Sequence, residues 1–229
     1  MFRDIHIQCR GVVCVKRLLC LVCVLALCTS FGSCAVYPVI GSSAGYVLID
    51  PGHGGFDGGT TAADGTLEKQ INLAISLTLR DLLLVCGVPV RMTRQTDIAV
   101  GEKKVEDMRY RLEQYENADQ VISIHQNHFS VAKYHGTQVF YSVNHSESEQ
   151  LARMLQQSVV EHLQPDNNRQ IKPATDGIFL LHHTTKPAVL VECGFLSNWE
   201  ELDLLKKSDY QQELAFALLC GYWNDKKER

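Results

Sequence analysis

Short runs of apolar residues alternate along the chain with longer amphipathic segments, and each kind of segment predicts an element of structure. Apolar runs rich in β-branched residues predict strands, whereas apolar residues spaced by three and four positions predict helices. The predicted strands cover residues 46–49, 88–93, 120–124, 137–143, 178–181 and 188–191. The predicted helices cover residues 67–85, 103–117, 146–163, 198–205 and 210–223. This alternation predicts a single α/β domain.

Some of these segments also indicate where in the fold the predicted element lies. Pro89 indicates an edge position or a strand start for residues 88–93, and the alternation in residues 137–143 is typical of an antiparallel strand at an edge. Residues 166–177 predict a polar loop. In the helix over residues 103–117, the mixed charges predict a solvated face. The residues predicted to face the core from that helix are Val105, Met108, Leu112 and Tyr115.

The segment VLIDPGHGGFDGGT, residues 47–60, passes directly from an apolar strand into a glycine-rich loop. Its glycines and Pro51 prevent strand and helix from continuing, so His53 is predicted just beyond the carboxyl end of the strand. Loops that leave successive strands of an open α/β sheet converge at that edge, where binding sites form. The alternative interpretation is a tight glycine turn that contains an incidental histidine.

Three further polar residues are predicted at the same edge of the sheet. Glu68 stands in the first turn of the helix after the glycine loop, His125 follows the strand QVISI, and Glu192 follows the strand AVLV. A first-turn carboxylate is also stabilised by the helix dipole, typically by about 0.3–1 kcal/mol, which is a purely structural explanation for Glu68.

Together, His53, Glu68 and His125 match the ligands of a catalytic zinc ion, which takes three protein ligands and leaves a position for water. Such an ion lowers the pKa of its water to about 7, and a carboxylate outside the ligand set, here Glu192, then manages protons. The spacing is not a compact motif such as HExxH, so chemistry alone leaves other interpretations open.

Two other classes of function are disfavoured. The glycine loop has neither a Lys-Ser/Thr pair after it nor GxGxxG spacing, which argues against a phosphate site. The formal net charge is −4, and it is −7 without residues 1–35, so no basic face is expected. A nucleic acid is therefore not predicted as a partner.

The N-terminal segment predicts export. Basic residues precede the apolar run LLCLVCVLALC, and small residues that end at Ala35 follow it, as in a signal peptide. Retention as a membrane anchor, or lipidation at Cys34, is the alternative. Six of the nine cysteines lie in this segment, and the cysteines indicate no disulfide framework. Residues 1–35 are predicted as a leader or anchor, and residues 36–45 as a linker.

Four motifs resemble, in their order, those of the zinc-dependent N-acetylmuramoyl-L-alanine amidases: LIDPGHGGFDGG, the helix start at Glu68, ISIHQN and PAVLVECGFLSN. The resemblance implies that residues 46–226 form a catalytic domain with a mixed, mostly parallel sheet of about six strands flanked by helices. It implies a Zn²⁺ ion held by His53, Glu68 and His125, with Glu192 as the catalytic acid and base. The implied reaction hydrolyses the amide between the lactyl group of muramic acid and L-alanine in peptidoglycan.

The segments HQNHFS, RQIKPATDGIFLL and ECGFLSN are similar to those of the germination-specific amidases of endospore formers. This resemblance implies a role in the spore cortex and a place in the cell envelope or between the spore membranes. Gln126 and Asn127 are predicted to contact the substrate, and the protein is expected to work as a monomer, with an accessory protein as a further partner. Two alternatives remain: a non-catalytic peptidoglycan-binding module, and a zinc hydrolase of another amide.

Overall fold

Six strands form one sheet in the computed structural model, which describes residues 45–99 and 101–228. The strands are β1 (Val47–Pro51), β2 (Val90–Met92), β3 (Gln120–Asn127), β4 (Gln138–Tyr141), β5 (Lys172–Pro173) and β6 (Ala188–Phe195). Their order in the sheet is β2-β1-β3-β6-β4-β5. Strands β2, β1, β3 and β6 are parallel, β4 is antiparallel to β6, and β5 runs parallel to β4. The predicted mixed, mostly parallel sheet is therefore confirmed.

Helices cover both faces of this sheet. They are α1 (Glu68–Val85), α2 (Lys104–Glu116), α3 (Glu147–His162), α4 (Phe179–His183), α5 (Trp199–Leu205) and α6 (Ser208–Glu228). Side chains alternate between the two faces along a strand, so Ile49 joins the larger apolar cluster with α1, α3 and α6, and Leu48 joins a smaller one with α2 and α4. The sheet is thus buried on both faces, as expected for parallel strands.

Two predictions about local structure were wrong. Of the apolar residues 178–181, Ile178 is the N-cap of α4 and the other three begin that helix rather than a strand. A short apolar run does not distinguish a buried strand from a buried helix. The loop over residues 166–177 contains β5, which pairs with β4 and takes the edge of the sheet. The antiparallel direction of β4 is confirmed, but β4 therefore lies one strand inside the edge.

Helix α2 confirms three of the four residues that its apolar pattern predicts to face the core, because Tyr115 is buried and Met108 and Leu112 pack against the smaller apolar cluster. Val105 is 68% exposed, whereas Asp107 and Arg111, predicted on a solvated face, are buried with Tyr115. Asp107 accepts a hydrogen bond from Arg111 Nε at 2.7 Å, and Arg111 points inward because it pairs with a buried carboxylate on β1. Hydrophobic periodicity carries no information about such a partner, which lies about 60 residues earlier in the chain.

That carboxylate is Asp50, which is fully buried in the middle of the sheet. It pairs with the Arg111 guanidinium and accepts hydrogen bonds from Thr93 Oγ1 and Tyr115 Oη, both at 2.6 Å, and from Ser123 Oγ at 3.0 Å. Burial alone would raise the pKa of Asp50, but Arg111 and the hydrogen-bond donors outweigh it and hold the pKa at about 2. Asp50 is therefore an ionised anchor point for α2.

Two buried arginines hold the backbone that follows β1. Arg111 donates to the carbonyl oxygens of Pro51 at 2.9 Å and of His53 at 2.7 Å. Arg94 donates to the carbonyl oxygens of Pro51 at 3.0 Å and of Gly52 at 2.9 Å, and also to a carbonyl in the first turn of α1. Backbone carbonyls in a tight loop lack ladder partners, so these contacts satisfy them and fix the path of the loop.

The predicted leader, and all of the predicted linker except its last residue, lie outside the described residues. Within the described part of the chain, none of the helices combines the length and the apolar character needed to cross a bilayer.

We predict that Arg111→Met destabilises the fold by about 3–5 kcal/mol, because it leaves Asp50 buried without its cation. Arg109→Met is the matched control, since Arg109 is exposed on the same helix, and its effect should stay within about 0.5 kcal/mol. Urea unfolding followed by circular dichroism measures both differences.

The pH dependence of this difference is an independent check. Asp50 has a folded-state pKa of about 2, below the unfolded value of about 3.9, so its stabilisation is fully present above about pH 5 and is lost as the pH falls through 2. The stability gap between wild type and Arg111→Met should narrow as the pH falls below 4. A gap that stays constant down to pH 2 would contradict this assignment.

Candidate active site

The fold brings His53, Glu68 and His125 together at the carboxyl edge of the parallel strands. One potential ligand atom from each lies within 4.8 Å of the other two. His53 Nε2 is 3.3 Å from Glu68 Oε2, and His125 Nδ1 is 3.0 Å from Glu68 Oε1. The two imidazole rings meet edge to face, with centroids 5.0 Å apart. Residues that are 15 and 57 positions apart in sequence therefore form one cluster.

His53 lies in a backbone conformation that few residues other than glycine adopt. Its φ of 62° is in the left-handed region, which costs energy and persists only where the surroundings enforce it. The arginine contacts to the carbonyls of residues 51–53 supply that constraint. The second ring nitrogen, Nδ1, lies 3.0 Å from Asp57 Oδ2, an arrangement that orients histidines which bind metal through their other nitrogen.

Asp57 was missed as a functional residue in the sequence, where it is one more polar position in the glycine loop. Its signal is the spacing from His53, four residues within the same tight loop. Burial would lower the pKa of His53, but Glu68 and Asp57 outweigh it and raise the pKa. The same carboxylates make this position favourable for any cation. Lys104 Nζ lies 3.3 Å from Asp57 Oδ2 and brings a positive charge to the rim.

The Glu68 carboxylate accepts hydrogen bonds from two backbone N–H groups and one side-chain amide, in addition to its contacts with the two histidines. Its Oε2 accepts from the backbone N–H of Thr60 at 2.9 Å, and its Oε1 accepts from the backbone N–H of Gln126 at 3.1 Å and from Asn72 Nδ2 at 3.2 Å. Burial opposes ionisation, but the two histidines prevail and hold the pKa of Glu68 well below its usual range. Glu68 is thus a fixed, ionised carboxylate.

His125 and Glu192 face each other across neighbouring strands. They are register partners in the parallel ladder of β3 and β6, so their side chains project from the same face of the sheet. Both lie inside their strands rather than beyond them, because β3 continues to Asn127 and β6 to Phe195. The strands extend past the apolar runs from which their ends were predicted.

Glu192 carries an oxygen that is buried and unpaired. Among the described residues, none donates a hydrogen bond to its Oε2, and an unsatisfied buried oxygen costs about 1–3 kcal/mol. Burial raises the pKa of Glu192 to about 7, with a further rise from the charge of Glu68 that the histidines oppose. A carboxyl group with this pKa can both accept and donate a proton near neutrality.

Two glycines leave the space that the cluster occupies. A Cβ on Gly52 would lie 2.2 Å from Cε1 of His125. A Cβ on Gly59 would lie 2.7 Å from both Glu68 Oε2 and His53 Cδ2. The glycine-rich loop is therefore needed for close approach as well as for its turn.

The two residues predicted to contact substrate differ in their surroundings. Gln126 follows His125, so it projects from the opposite face of β3, where its buried amide donates to Asn72 Oδ1 at 3.1 Å. This side chain supports Asn72 and, through it, Glu68. Gln126 and Asn127 both line the open cleft above the cluster, which has a volume of about 430 Å³, and their contact with substrate stays a prediction.

The donor set fits a zinc ion. Two imidazoles and one carboxylate are the protein ligands of several catalytic zinc sites, which keep one position open for water or substrate. The unpaired Glu192 Oε2 beside these donors is the kind of group that such a site uses and that a purely structural carboxylate cluster lacks. An α/β sheet with this cluster at its carboxyl edge defines a hydrolase with a candidate metal centre.

Comparison with known proteins agrees with that class. A family model described as N-acetylmuramoyl-L-alanine amidase matches residues 47–221. The chain belongs to the N-acetylmuramoyl-L-alanine amidase family. Its activity is hydrolysis of the amide bond between N-acetylmuramic acid and L-alanine.

Three relatives illustrate the range of similarity. The germination-specific N-acetylmuramoyl-L-alanine amidase of Bacillus subtilis is 35% identical over 185 residues, which cover 76% of this chain and 77% of the relative. The CwlD amidase of Clostridioides difficile, solved in complex with the GerS lipoprotein, superposes with a TM-score of 0.77 at 36% identity and covers 81% of this chain and 100% of the other. The amidase AmiA of Escherichia coli is 28% identical, with 80% and 78% covered.

We predict that Gly59→Ala weakens zinc binding roughly 10- to 100-fold, the range seen when the support of metal ligands is disturbed. The added methyl group would displace Glu68 and His53. Gly65→Ala is the matched control, because Gly65 also has a positive φ but has no atom within 4 Å of an added Cβ. Both variants carry the same kind of backbone strain, and only the first meets the cluster.

Competition with a chromophoric chelator measures the two affinities, and thermal unfolding verifies that both variants are folded. Equal zinc affinities for Gly59→Ala and Gly65→Ala would show that the cluster does not hold the metal.

Proposed function

We propose that this chain is a zinc-dependent amidase that releases stem peptides from peptidoglycan by cleaving the amide between the muramic acid lactyl group and L-alanine. The observation that carries the proposal is the meeting of His53, Glu68 and His125 beside the unpaired, buried Oε2 of Glu192. Family membership names the bond, and this cluster supplies groups that can break it.

His53, Glu68 and His125 would hold the ion. Zinc supplies Lewis-acid polarisation of a carbonyl group and lowers the pKa of water. The chain fixes the three donors beforehand: Asp57 orients His53, two backbone N–H groups and Asn72 orient Glu68, and the ladder with β6 orients His125. Donors held by such contacts need little rearrangement on binding.

Glu192 is the proposed acid and base. Its Oε2 accepts a proton from the water that attacks the amide carbonyl and then donates that proton to the departing nitrogen of L-alanine. A pKa of about 7 suits both steps. The products are a glycan strand with a free lactyl carboxyl group and a peptide with a free amino terminus. The proton that Glu192 takes from water is the proton that the departing nitrogen receives.

The cellular setting is proposed from the relatives. The Bacillus subtilis relative is named as germination-specific, which supports a role in the spore cortex. The CwlD structure contains the GerS lipoprotein, which supports an accessory protein as a partner of this chain. We propose that residues 1–35 direct export or anchor the chain in the envelope, and that residues 46–226 form a catalytic domain active as a monomer.

We predict that Glu192→Gln retains zinc and loses activity by about 10²–10⁴-fold, the usual contribution of a general acid or base. Glu200→Gln, an exposed glutamate at the start of α5, is the matched control and should keep wild-type activity. The assay digests purified peptidoglycan with the soluble domain and identifies the new termini by mass, with and without a chelator.

Lactyl carboxyl groups and alanine amino groups are the expected new termini, and chelation should abolish their release. Full activity of Glu192→Gln would remove Glu192 from the mechanism, and activity that survives chelation would remove zinc. Zinc binding without peptide release by the wild type would instead indicate a binding module.

We predict that the gene that encodes this chain is expressed only during sporulation, because the spore cortex is made only at that stage. Transcript levels across growth and sporulation test this setting separately from the chemistry. Equal expression in growing cells would place the same reaction in the vegetative wall.

A further inference from the structure

A second cavity, of about 370 Å³, lies beside the candidate active site. Neither the three proposed zinc ligands nor Glu192 lines it. Two large aromatic side chains line it: Trp199 is 59% exposed and Phe129 is 49% exposed. Large aromatic residues that are exposed next to a reaction site, rather than buried in the core, indicate a binding surface.

The cavity adjoins the active-site cleft. His128 lines both spaces. Thr61 also lines the cavity, and it follows Thr60, whose backbone N–H donates to Glu68. A ligand that extends from the cluster along β3 therefore enters this cavity directly.

Phe129 stands on the loop after β3 and Trp199 is the first residue of α5, and the segments that carry them are hydrogen-bonded to each other. The backbone N–H of Phe129 donates to Ser197 Oγ at 3.1 Å, and the N–H of Leu196 donates to the carbonyl of Asn127 at 2.8 Å. The Phe129 ring also meets Tyr134 edge to face at 5.0 Å. Trp199 opens α5, whose N-cap Asn198 accepts from two backbone N–H groups. The surface is thus formed before a ligand arrives, which lowers the cost of binding.

The composition of this cavity suits a carbohydrate. The C–H-bearing face of a sugar ring packs on an aromatic face, and the hydroxyl groups of Thr61, Ser130 and Ser197 line the same space. The other cavity, of about 470 Å³, includes His53, His125 and Glu192, and the rest of its lining is mainly apolar, with Phe179, Tyr115 and Lys104 among it. The Lys104 ammonium has no counterpart in the cavity lined by Phe129 and Trp199, and it favours a peptide that carries anionic groups.

We propose that Phe129 and Trp199 form a glycan subsite, which binds a sugar ring of the polysaccharide strand adjacent to the muramic acid whose peptide is removed. The proposal rests on the proposed function for the identity of the strand. It assigns the sugar to the cavity lined by Phe129 and Trp199, and the peptide to the cavity that includes Lys104.

The first test needs neither metal nor catalysis. The chain has two tryptophans, and the second, Trp223 on α6, does not line the cavity. In a Trp223→Phe variant, the fluorescence of Trp199 therefore reports on the subsite alone. Titration with a peptide-free N-acetylglucosamine tetramer should change that fluorescence saturably, and adding Phe129→Ala should weaken binding roughly 3- to 10-fold, as expected for one aromatic contact.

The second test uses two substrates that carry the same scissile bond, one a long glycan strand and one a single muramoyl peptide. Trp199→Ala should lower kcat/KM more on the strand than on the short substrate, by roughly 10-fold and mainly through KM, as expected for the loss of one aromatic contact. Trp223→Ala is the matched control and should leave the ratio of the two substrates unchanged.

The outcomes separate this proposal from the proposed function. No saturable fluorescence change with the tetramer, a change produced instead by a sugar-free stem peptide, or equal losses on both substrates would each overturn the subsite. If the wild type cleaves neither substrate, the proposed function fails, and the fluorescence titration alone then decides whether the cavity binds sugars.

Discussion

The buried ion pair between Asp50 and Arg111 is the contact on which the geometry of the active site depends. Removing two charges from water is costly, and the cost is offset only where the remaining lone pairs and N–H groups find partners. Here they do: Asp50 takes three hydroxyl donors, and Arg111 reaches Asp107 and the carbonyls of Pro51 and His53. The network joins β1, β3 and α2 and also fixes the strained backbone of His53.

Glu68 extends this constraint from the backbone to the reaction centre. The Glu68 carboxylate contacts both histidines, two backbone N–H groups and Asn72. These contacts fix the positions of the loop after β1, the start of α1 and strand β3 relative to one another. The negative charge of Glu68 stabilises a cation at the cluster and, through space, raises the pKa of Glu192. Structural support and chemical tuning therefore come from the same residue.

The sequence allows prediction of the groups that lie at the sheet edge but not of those that hold them. Apolar runs precede His53, His125 and Glu192 in the sequence. The carboxyl ends of parallel strands meet at one edge of a sheet, so residues that follow such runs lie close together in any open α/β fold. Asp50, Arg94 and Arg111 give no such signal, because a buried ion pair depends on partners far away in the chain. The exposed Val105 and the helical residues 179–181 show a similar limit, since a short apolar pattern specifies neither the surface that each residue faces nor the type of element.

Strand β6 shows how the fold tolerates an unpaired carboxyl oxygen at its centre. On one face, Val189, Val191 and Cys193 are buried in the larger apolar cluster, and burial of each such side chain contributes about 1–3 kcal/mol. On the other face, Glu192 projects beside His125 with Oε2 unsatisfied, at a cost of about 1–3 kcal/mol. The strand is therefore stabilised from the face that does no chemistry. Because the two faces of a strand alternate residue by residue, the core can fix Glu192 without surrounding it, and the oxygen stays available for a proton.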